Sequence, residues 1–226
     1  MLTALKAAFL VCALAALCQT ASGDTIYNVT LGTAPLVGQP AGPFYFQLAF
    51  TDGSGVDDAN NTITISDIHF GGGSALGSPL VFGGASGSLE TGITITDSTF
   101  LSLFIEQFVP GLQLSFTLRL TSNDDAGGTP DRLTFFLLDN SGVALPTLAP
   151  FGDYLFGVDL HSTGAIFDAY GTDPTRAPTV GNPISMSAPV IHAASVPEPG
   201  TLALLGLGLS TVAWRRRRRS QRVANS

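Results

Sequence analysis

Histidine and serine, two residue types that carry much enzymatic chemistry, form no recognisable catalytic pattern in this chain. The 226 residues hold three histidines, and these stand too far apart for a zinc-binding helix motif: His69, His161 and His192. No Gly-x-Ser-x-Gly segment marks a serine nucleophile, since the nearest candidate, residues 84–88, ends in serine instead of glycine. We therefore expect that the protein is not an enzyme.

Paired carboxylates are the remaining catalytic alternative. A glycoside hydrolase needs two of them about 5 to 10 Å apart on one face. Glu90 and Glu106 are the only glutamates between residues 24 and 195, and Asp97 and Asp159 lie at or in expected strands. Nothing in their spacing singles out a pair. A glycoside hydrolase, with Glu90 or Glu106 as the residue to test, stays the less favoured alternative.

Two acidic turns carry oxygen atoms of the kind that bind hard cations. Asp52, Asp57 and Asp58 lie in the first turn, and Asn-Asp-Asp at residues 123–125 forms the second. Neither turn fits the twelve-residue calcium loop, which needs a terminal glutamate, and solvated turn aspartates account for both. We expect no cofactor, and a structural calcium ion at Asp52, Asp57 and Asp58 is the alternative.

Tyrosines are the aromatic residues that could stack on a sugar ring. The only tryptophan is Trp214, near the C-terminus, which leaves Tyr27, Tyr45, Tyr154 and Tyr170 in the body of the chain. Packing at the edge of a core, with the hydroxyl hydrogen-bonded, is the more common use of each. A glycan-binding module is therefore an alternative function.

The elements that must position these residues are short β-strands. Alternation of apolar and polar residues with period two predicts most of them, and a slip of phase at Ser66 and Asp67 predicts a β-bulge. The segment 100–108 could also form a short helix face, and the Gly/Ser-rich residues 71–87 predict a long loop with a short edge segment. The strands are expected over residues 25–31, 44–50, 63–70, 92–96, 100–108, 112–120, 132–139, 154–160 and 165–170.

These strands predict an all-β fold, a single antiparallel sandwich or jelly roll over residues 24–173. Prolines recur at positions 174, 178, 183 and 189. They indicate an extended spacer over residues 174–195, with a candidate last strand around 184–191.

The charge of the body excludes one class of partner. Residues 24–195 hold sixteen acidic residues against three arginines, which gives a net charge of −13. Such a domain repels phosphate groups, so we expect no binding to nucleic acid.

The N-terminal residues 1–23 have the pattern of a signal peptide. Lys6 supplies positive charge, residues 7–17 are apolar, and Ala21 and Gly23 are small residues at positions −3 and −1 before Asp24. We expect signal peptidase to cut there and the body to be exported. Both cysteines of the chain would leave with this peptide, so the mature protein would have no thiol.

The C-terminus has three successive parts within residues 196–219. A Pro-Glu-Pro triplet precedes an apolar stretch, residues 200–214, which is long enough to cross a membrane if the arginine side chains snorkel to its surface. The basic block would stop transfer and leave the tail, residues 220–226, in the cytoplasm. The triplet with its following glycine is Pro197, Glu198, Pro199 and Gly200, and the block is Arg215, Arg216, Arg217, Arg218 and Arg219.

This tripartite segment resembles the PEP-CTERM sorting signal of Gram-negative bacteria, the tag of exosortase substrates. The resemblance implies that an exosortase-type membrane protease recognises Pro197, Glu198 and Pro199 and cuts close to them. The body, over residues 26–31, 33–38 and 42–50, also resembles short PEP-CTERM proteins of unknown activity. That group supplies no catalytic residues to carry over.

The sequence thus predicts an exported protein that is anchored transiently in the inner membrane by one helix and then sorted. It would end at the cell surface or in the extracellular matrix, with a structural or adhesive role. Exopolysaccharide is a candidate macromolecular partner there.

Overall fold

The computed structural model describes residues 24–53, 58–121, 123, 128–194 and 208. Within these residues the fold is all-β, with a 3-10 turn at Ala34–Leu36. The strands, in chain order, are β1 Thr25–Gly32, β2 Phe44–Thr51, β3 Thr62–His69, β4 Ser74–Phe82, β5 Gly84–Ser88, β6 Gly92–Thr96, β7 Leu101–Val109, β8 Gln113–Leu120, β9 Asp131–Leu138, β10 Phe156–His161, β11 Gly164–Ala169 and β12 Val190–Ala193.

The strands form two antiparallel six-stranded sheets. The order in the first sheet is β12-β1-β8-β3-β6-β5, and in the second it is β11-β10-β9-β2-β7-β4. Phe46 of the second sheet packs on Phe116 of the first, with ring centroids 5.6 Å apart. The expected β-sandwich is therefore consistent with the architecture.

Alternation along the central strands builds the core. Phe44, Phe46, Leu48 and Phe50 on β2 are all fully buried, and the residues between them face outward. Each such side chain contributes about 1.5 to 3 kcal/mol through removal of apolar surface from water. A core this large explains how the domain folds without a disulfide.

Most predicted strands are confirmed, and the predicted bulge is as well. The pairing of β3 with β8 shifts register between Ser66 and His69, where Asp67 adopts a φ of 51°. This shift returns Ile68 to the core side after the slip in the sequence pattern. Residues 101–109 form β7, so the alternative of a helix there is wrong.

The prediction of a long loop over residues 71–87 is wrong, because β4 and β5 occupy most of it. The short edge segment that was expected within it is confirmed as part of β4. Strand β4 lies at the edge of the second sheet, and its pairing with β7 shifts register between Leu76 and Leu80. An irregular edge strand with little buried surface has no reason to alternate. Leu80 and Phe82 accordingly stay 66% and 62% exposed.

The proline-rich segment after residue 173 packs on the sandwich, whereas the sequence suggested an extended spacer. Ile184 and Met186 are buried in the core, and the backbone N–H of Thr172 donates to the Met186 carbonyl at 3.1 Å. The last strand, β12, pairs with β1. The apolar side chains between the prolines gain more free energy when they are buried against the sandwich than when they stay exposed in an extended spacer.

The predicted signal peptide, residues 1–23, and the predicted membrane helix, except for Gly208, lie outside the described residues. Among the residues that the structure does describe, no helix is both long enough and apolar enough to cross a bilayer. The compact unit that contains the sandwich ends at Ala194.

Candidate functional site

The outer face of the second sheet brings one arginine and two aspartates together on three neighbouring strands. Arg132 on β9 lies directly opposite Asp159 on β10, and its Nη1 donates to Asp159 Oδ1 at 2.6 Å. Its Nη2 donates to Oδ1 of Asp168, on β11, at 2.8 Å. Because strand pairing sets all three positions, the guanidinium is held at a fixed place on the surface.

Two tyrosines complete this group. The Tyr154 hydroxyl donates to Asp168 Oδ2 at 2.5 Å, and the Arg132 guanidinium lies 5.4 Å from the centre of the Tyr154 ring. Tyr170 packs edge-on against Tyr154, with centroids 5.5 Å apart. We call these five residues, Arg132, Tyr154, Asp159, Asp168 and Tyr170, the Arg132 cluster.

Electrostatics favour the charged arginine and the neutral Tyr154. Burial raises the pKa of Tyr154, and the hydrogen bond to Asp168 and the charge of Asp168 raise it further. Burial alone would lower the pKa of Arg132, but the bonds and charges of Asp159 and Asp168 outweigh that effect and raise it. Arg132 therefore stays charged and the Tyr154 hydroxyl stays protonated across the physiological range.

Glycine at position 157 makes room for this arrangement. A Cβ built there would lie 2.1 Å from Arg132 Nη2 and 2.8 Å from Asp168 Oδ1. The side chains of Arg132, Asp159 and Asp168 remain about one-third exposed, at 33%, 32% and 30%. They therefore offer hydrogen-bond donors and acceptors to a ligand beside an aromatic surface, an arrangement that suits a polyhydroxylated molecule.

The structure brings together only two of the four tyrosines that the sequence suggested as sugar platforms. Tyr154 and Tyr170 lie in the Arg132 cluster. Tyr27 instead packs edge-on against Phe167, with centroids 4.6 Å apart, and burial raises its pKa. Tyr45 lies half-buried on β2.

The two calcium candidates that the structure describes differ in burial. Asp52 is buried just after β2, whereas Asp58 is exposed and accepts a bond from Asn60 Nδ2 at 2.8 Å. Asp57 lies outside the described residues. Across the described part of the chain, no group of three or more His, Cys, Asp or Glu residues is arranged to hold a metal ion.

The two glutamates suggested for hydrolysis differ in environment. Glu106 points into the sandwich, is 2% exposed, and accepts a bond from the Leu89 N–H through Oε2 at 2.7 Å. Burial raises the pKa of Glu106, the bond from Leu89 opposes that rise, and the charge of Glu90 adds to it. Glu90 itself is exposed in the turn between β5 and β6. Glu106 thus fixes the position of this turn.

The sequence did not indicate Arg132 or Asp168 as site residues. Asp159 and Asp168 lie 27 and 36 residues after Arg132 in the sequence, so only the pairing of strands brings the three residues together. The available signal was an arginine inside a strand pattern, in a body with only three arginines.

Comparison with known proteins identifies the C-terminal segment. Residues 195–218 match the family model of the PEP-CTERM protein-sorting motif. No curated protein and no solved structure matches the chain. The predicted sorting signal is confirmed: the chain carries a PEP-CTERM motif, which implies export and processing by an exosortase, a membrane protease.

Proposed function

We propose that this chain is a non-enzymatic protein that an exosortase-type system delivers to the cell surface or the exopolysaccharide matrix, where its β-sandwich has a structural or adhesive role. The observation that carries the proposal is the sorting motif at residues 195–218. The compact unit that holds the sandwich ends at Ala194, directly before the motif. A cut within the motif would therefore release the folded domain whole.

The chemistry of the motif suits a protease substrate. Pro197 and Pro199 each fix φ near −65° and disfavour helix at the residue before them. The triplet would then present an extended backbone to a protease cleft. The block at residues 215–219 would hold the other end at the cytoplasmic surface.

The test is the mass of the C-terminus in fractions of the native host. In the wild-type protein we expect an end near residues 197–200, in the surface or extracellular fraction. Replacement of Pro197, Glu198 and Pro199 by alanine should leave export intact and stop this cut. Pro174→Ala, which changes an exposed proline of the body, is the matched control and should mature normally. Normal maturation of the triple variant would refute the proposal.

Glycan binding through the Arg132 cluster is the second candidate function. What favours it is a partly exposed guanidinium, fixed by Asp159 and Asp168, beside the ring of Tyr154, against which Tyr170 packs. A net negative charge on the body favours a neutral polysaccharide over an anionic one.

The binding test is retention of the full chain on the host's own polysaccharide. Tyr170→Ala and Arg132→Gln should both reduce retention. Tyr45→Ala is the control, because Tyr45 lies on the same sheet but pairs away from the cluster. Equal retention of all three variants, with melting temperatures that show them folded, would exclude this binding site.

A further inference from the structure

One end of the sandwich is closed by polar side chains that water does not reach. Asp52 and Asp131 are each 1% exposed, and Asn61 and Asp97 are fully buried. They come from both sheets: Asp52 follows β2 and Asp131 begins β9, while Asn61 precedes β3 and Asp97 follows β6. Buried carboxyl groups are costly unless their charge is neutralised or well solvated by hydrogen bonds.

Asn61 joins the two sheets at this point. Its backbone N–H donates to Asp97 Oδ2 at 3.0 Å, and its Nδ2 donates to Asp131 Oδ2 at 2.9 Å. Asp131 Oδ1 accepts a bond from the backbone N–H of Gly53 at 2.8 Å. A single asparagine therefore places the carboxyl groups of Asp97 and Asp131 next to each other.

Asp97 has one oxygen atom that these bonds leave unsatisfied. Its Oδ1 is buried and has no hydrogen-bond partner among the described residues. Asp97 also takes part in none of the ion pairs that the described residues form. Asn61 bonds to both Asp97 and Asp131, and this holds the two carboxyl groups close enough for each to affect the charge of the other. Two neighbouring carboxylates inside a protein repel each other, and one proton between them removes the repulsion.

We propose that Asp97 and Asp131 share one proton in the folded protein, so that an acid–carboxylate hydrogen bond closes this end of the sandwich. The proton comes from solvent when the chain folds, and it returns to solvent when the pair ionises. The pair would make the stability of the domain sensitive to the pH of the medium into which the protein is exported.

The surroundings of the pair support this assignment. Burial raises the pKa of Asp97 to about 7; the Asn61 N–H bond opposes the rise, and the Asp131 carboxyl group adds to it. Asp52, which follows β2, is the titratable side chain at the neighbouring strand end. Asn61 and Asn123, the latter bonded to Asn61 through its backbone N–H, are neutral. The side chains named here around the pair are thus acidic or neutral.

The direction of the pH effect follows from proton binding. A carboxyl group with a raised pKa holds its proton more tightly in the folded chain than in the unfolded chain, whose aspartates titrate near pH 4. The stabilisation is complete below about pH 4. It is lost progressively as the pH rises toward the pKa of about 7.

The experiment is thermal unfolding of the full chain, purified in detergent, between pH 4 and pH 8 in the presence of a chelator. We expect the melting temperature of the wild type to fall across this range. In Asp97→Asn the fall should be clearly smaller, because the amide can donate to Asp131 but does not titrate. Asp58→Asn, an exposed aspartate nearby, should keep the wild-type slope.

The carboxyl ¹³C shift of Asp97 in the wild type is a second measurement that does not depend on whether the variant folds. Titration of Asp97 near pH 7 supports the proposal, and titration near pH 4 overturns it. Equal slopes for the wild type and Asp97→Asn also overturn it. A rise in the melting temperature on addition of Ca²⁺, absent in Asp97→Asn, would overturn it in another way, because a cation would then occupy the pair.

Discussion

The backbone N–H of Thr179 donates a hydrogen bond to Oδ2 of Asp139, at 2.9 Å, across forty residues of sequence. Asp139 is fully buried just after β9, and its Oδ1 accepts bonds from the N–H groups of Ser141 and Val143 at 2.9 and 3.0 Å. One carboxylate therefore closes the turn after β9 and holds the proline-rich segment on the sandwich.

Asp139→Ala should destabilise the domain by about 2 to 4 kcal/mol, since it leaves buried N–H donors unsatisfied. Burial alone would raise the pKa of Asp139, but the bonds from Thr179, Val143 and Ser141 outweigh it and lower the pKa. The stabilisation is thus present above the ordinary aspartate pKa and is lost as the pH falls through the lowered value. Denaturant unfolding at pH 7 and at pH 3 measures both effects.

Ser141→Ala is the matched control for Asp139, because it keeps the backbone N–H that Asp139 accepts. It should change stability by less than about 0.5 kcal/mol. Limited proteolysis should cut near residues 174–183 faster in Asp139→Ala than in this control. If both variants resist the protease equally, the segment is held by other contacts.

Glu106→Ala should cost about 1 to 3 kcal/mol, because the buried Leu89 N–H loses its acceptor. Glu106→Gln keeps an oxygen acceptor for this bond and should cost less. Glu106→Gln also removes the titratable group. Because burial raises the pKa of Glu106, the stabilisation that its carboxyl group gives the wild type should decrease as the pH rises above the ordinary pKa of glutamate. Chemical unfolding of both variants, repeated at pH 5 and pH 8, measures the difference. Equal costs for the two would mean that the bond contributes little.

Gly157→Ala should displace the Arg132 guanidinium and break its pair with Asp168, because the added Cβ would lie 2.1 Å from Nη2. The cost should not exceed about 1 kcal/mol, since the pair is partly exposed and the end of an arginine side chain can move. A double-mutant cycle with Arg132→Ala tests the reason. In the Arg132→Ala background the same glycine substitution should cost clearly less, since only the end of the Asp168 side chain, 2.8 Å from the added Cβ, would still have to move. If Gly157→Ala costs as much in that background as in the wild type, the clash involves the backbone and not Arg132.

How far the sequence predicts the fold depends on how each strand is buried. Strands β2 and β8 alternate cleanly because one face packs in the core and the other meets water, so the pattern was sufficient. Strand β7 was ambiguous because Ser102 and Glu106 occupy inward positions where the pattern expects apolar residues. Strand β4 was predicted only as a short edge segment, because a largely exposed edge strand needs no regular alternation.

The candidate sites were less predictable, since pairing between distant strands creates them. The sorting motif could be found because its parts are contiguous in the chain. Arg132 and Asp168, or Asp97 and Asp131, meet only once the order and register of the sheets are known. Local spacing drew attention to Asp58 instead, which the structure leaves exposed.

Phe135 should be among the most costly residues to truncate. Its ring contacts those of Phe46, Phe116 and Phe156 at centroid distances of 4.7, 6.0 and 5.2 Å, and it is fully buried. Phe135→Ala should therefore cost about 3 to 5 kcal/mol, as transfer and cavity terms add. Phe151→Ala removes the same side chain from a site that is 86% exposed, and it should change stability by less than about 0.5 kcal/mol. Urea unfolding of the two variants compares them directly, and similar costs would contradict the placement of the core between the two sheets.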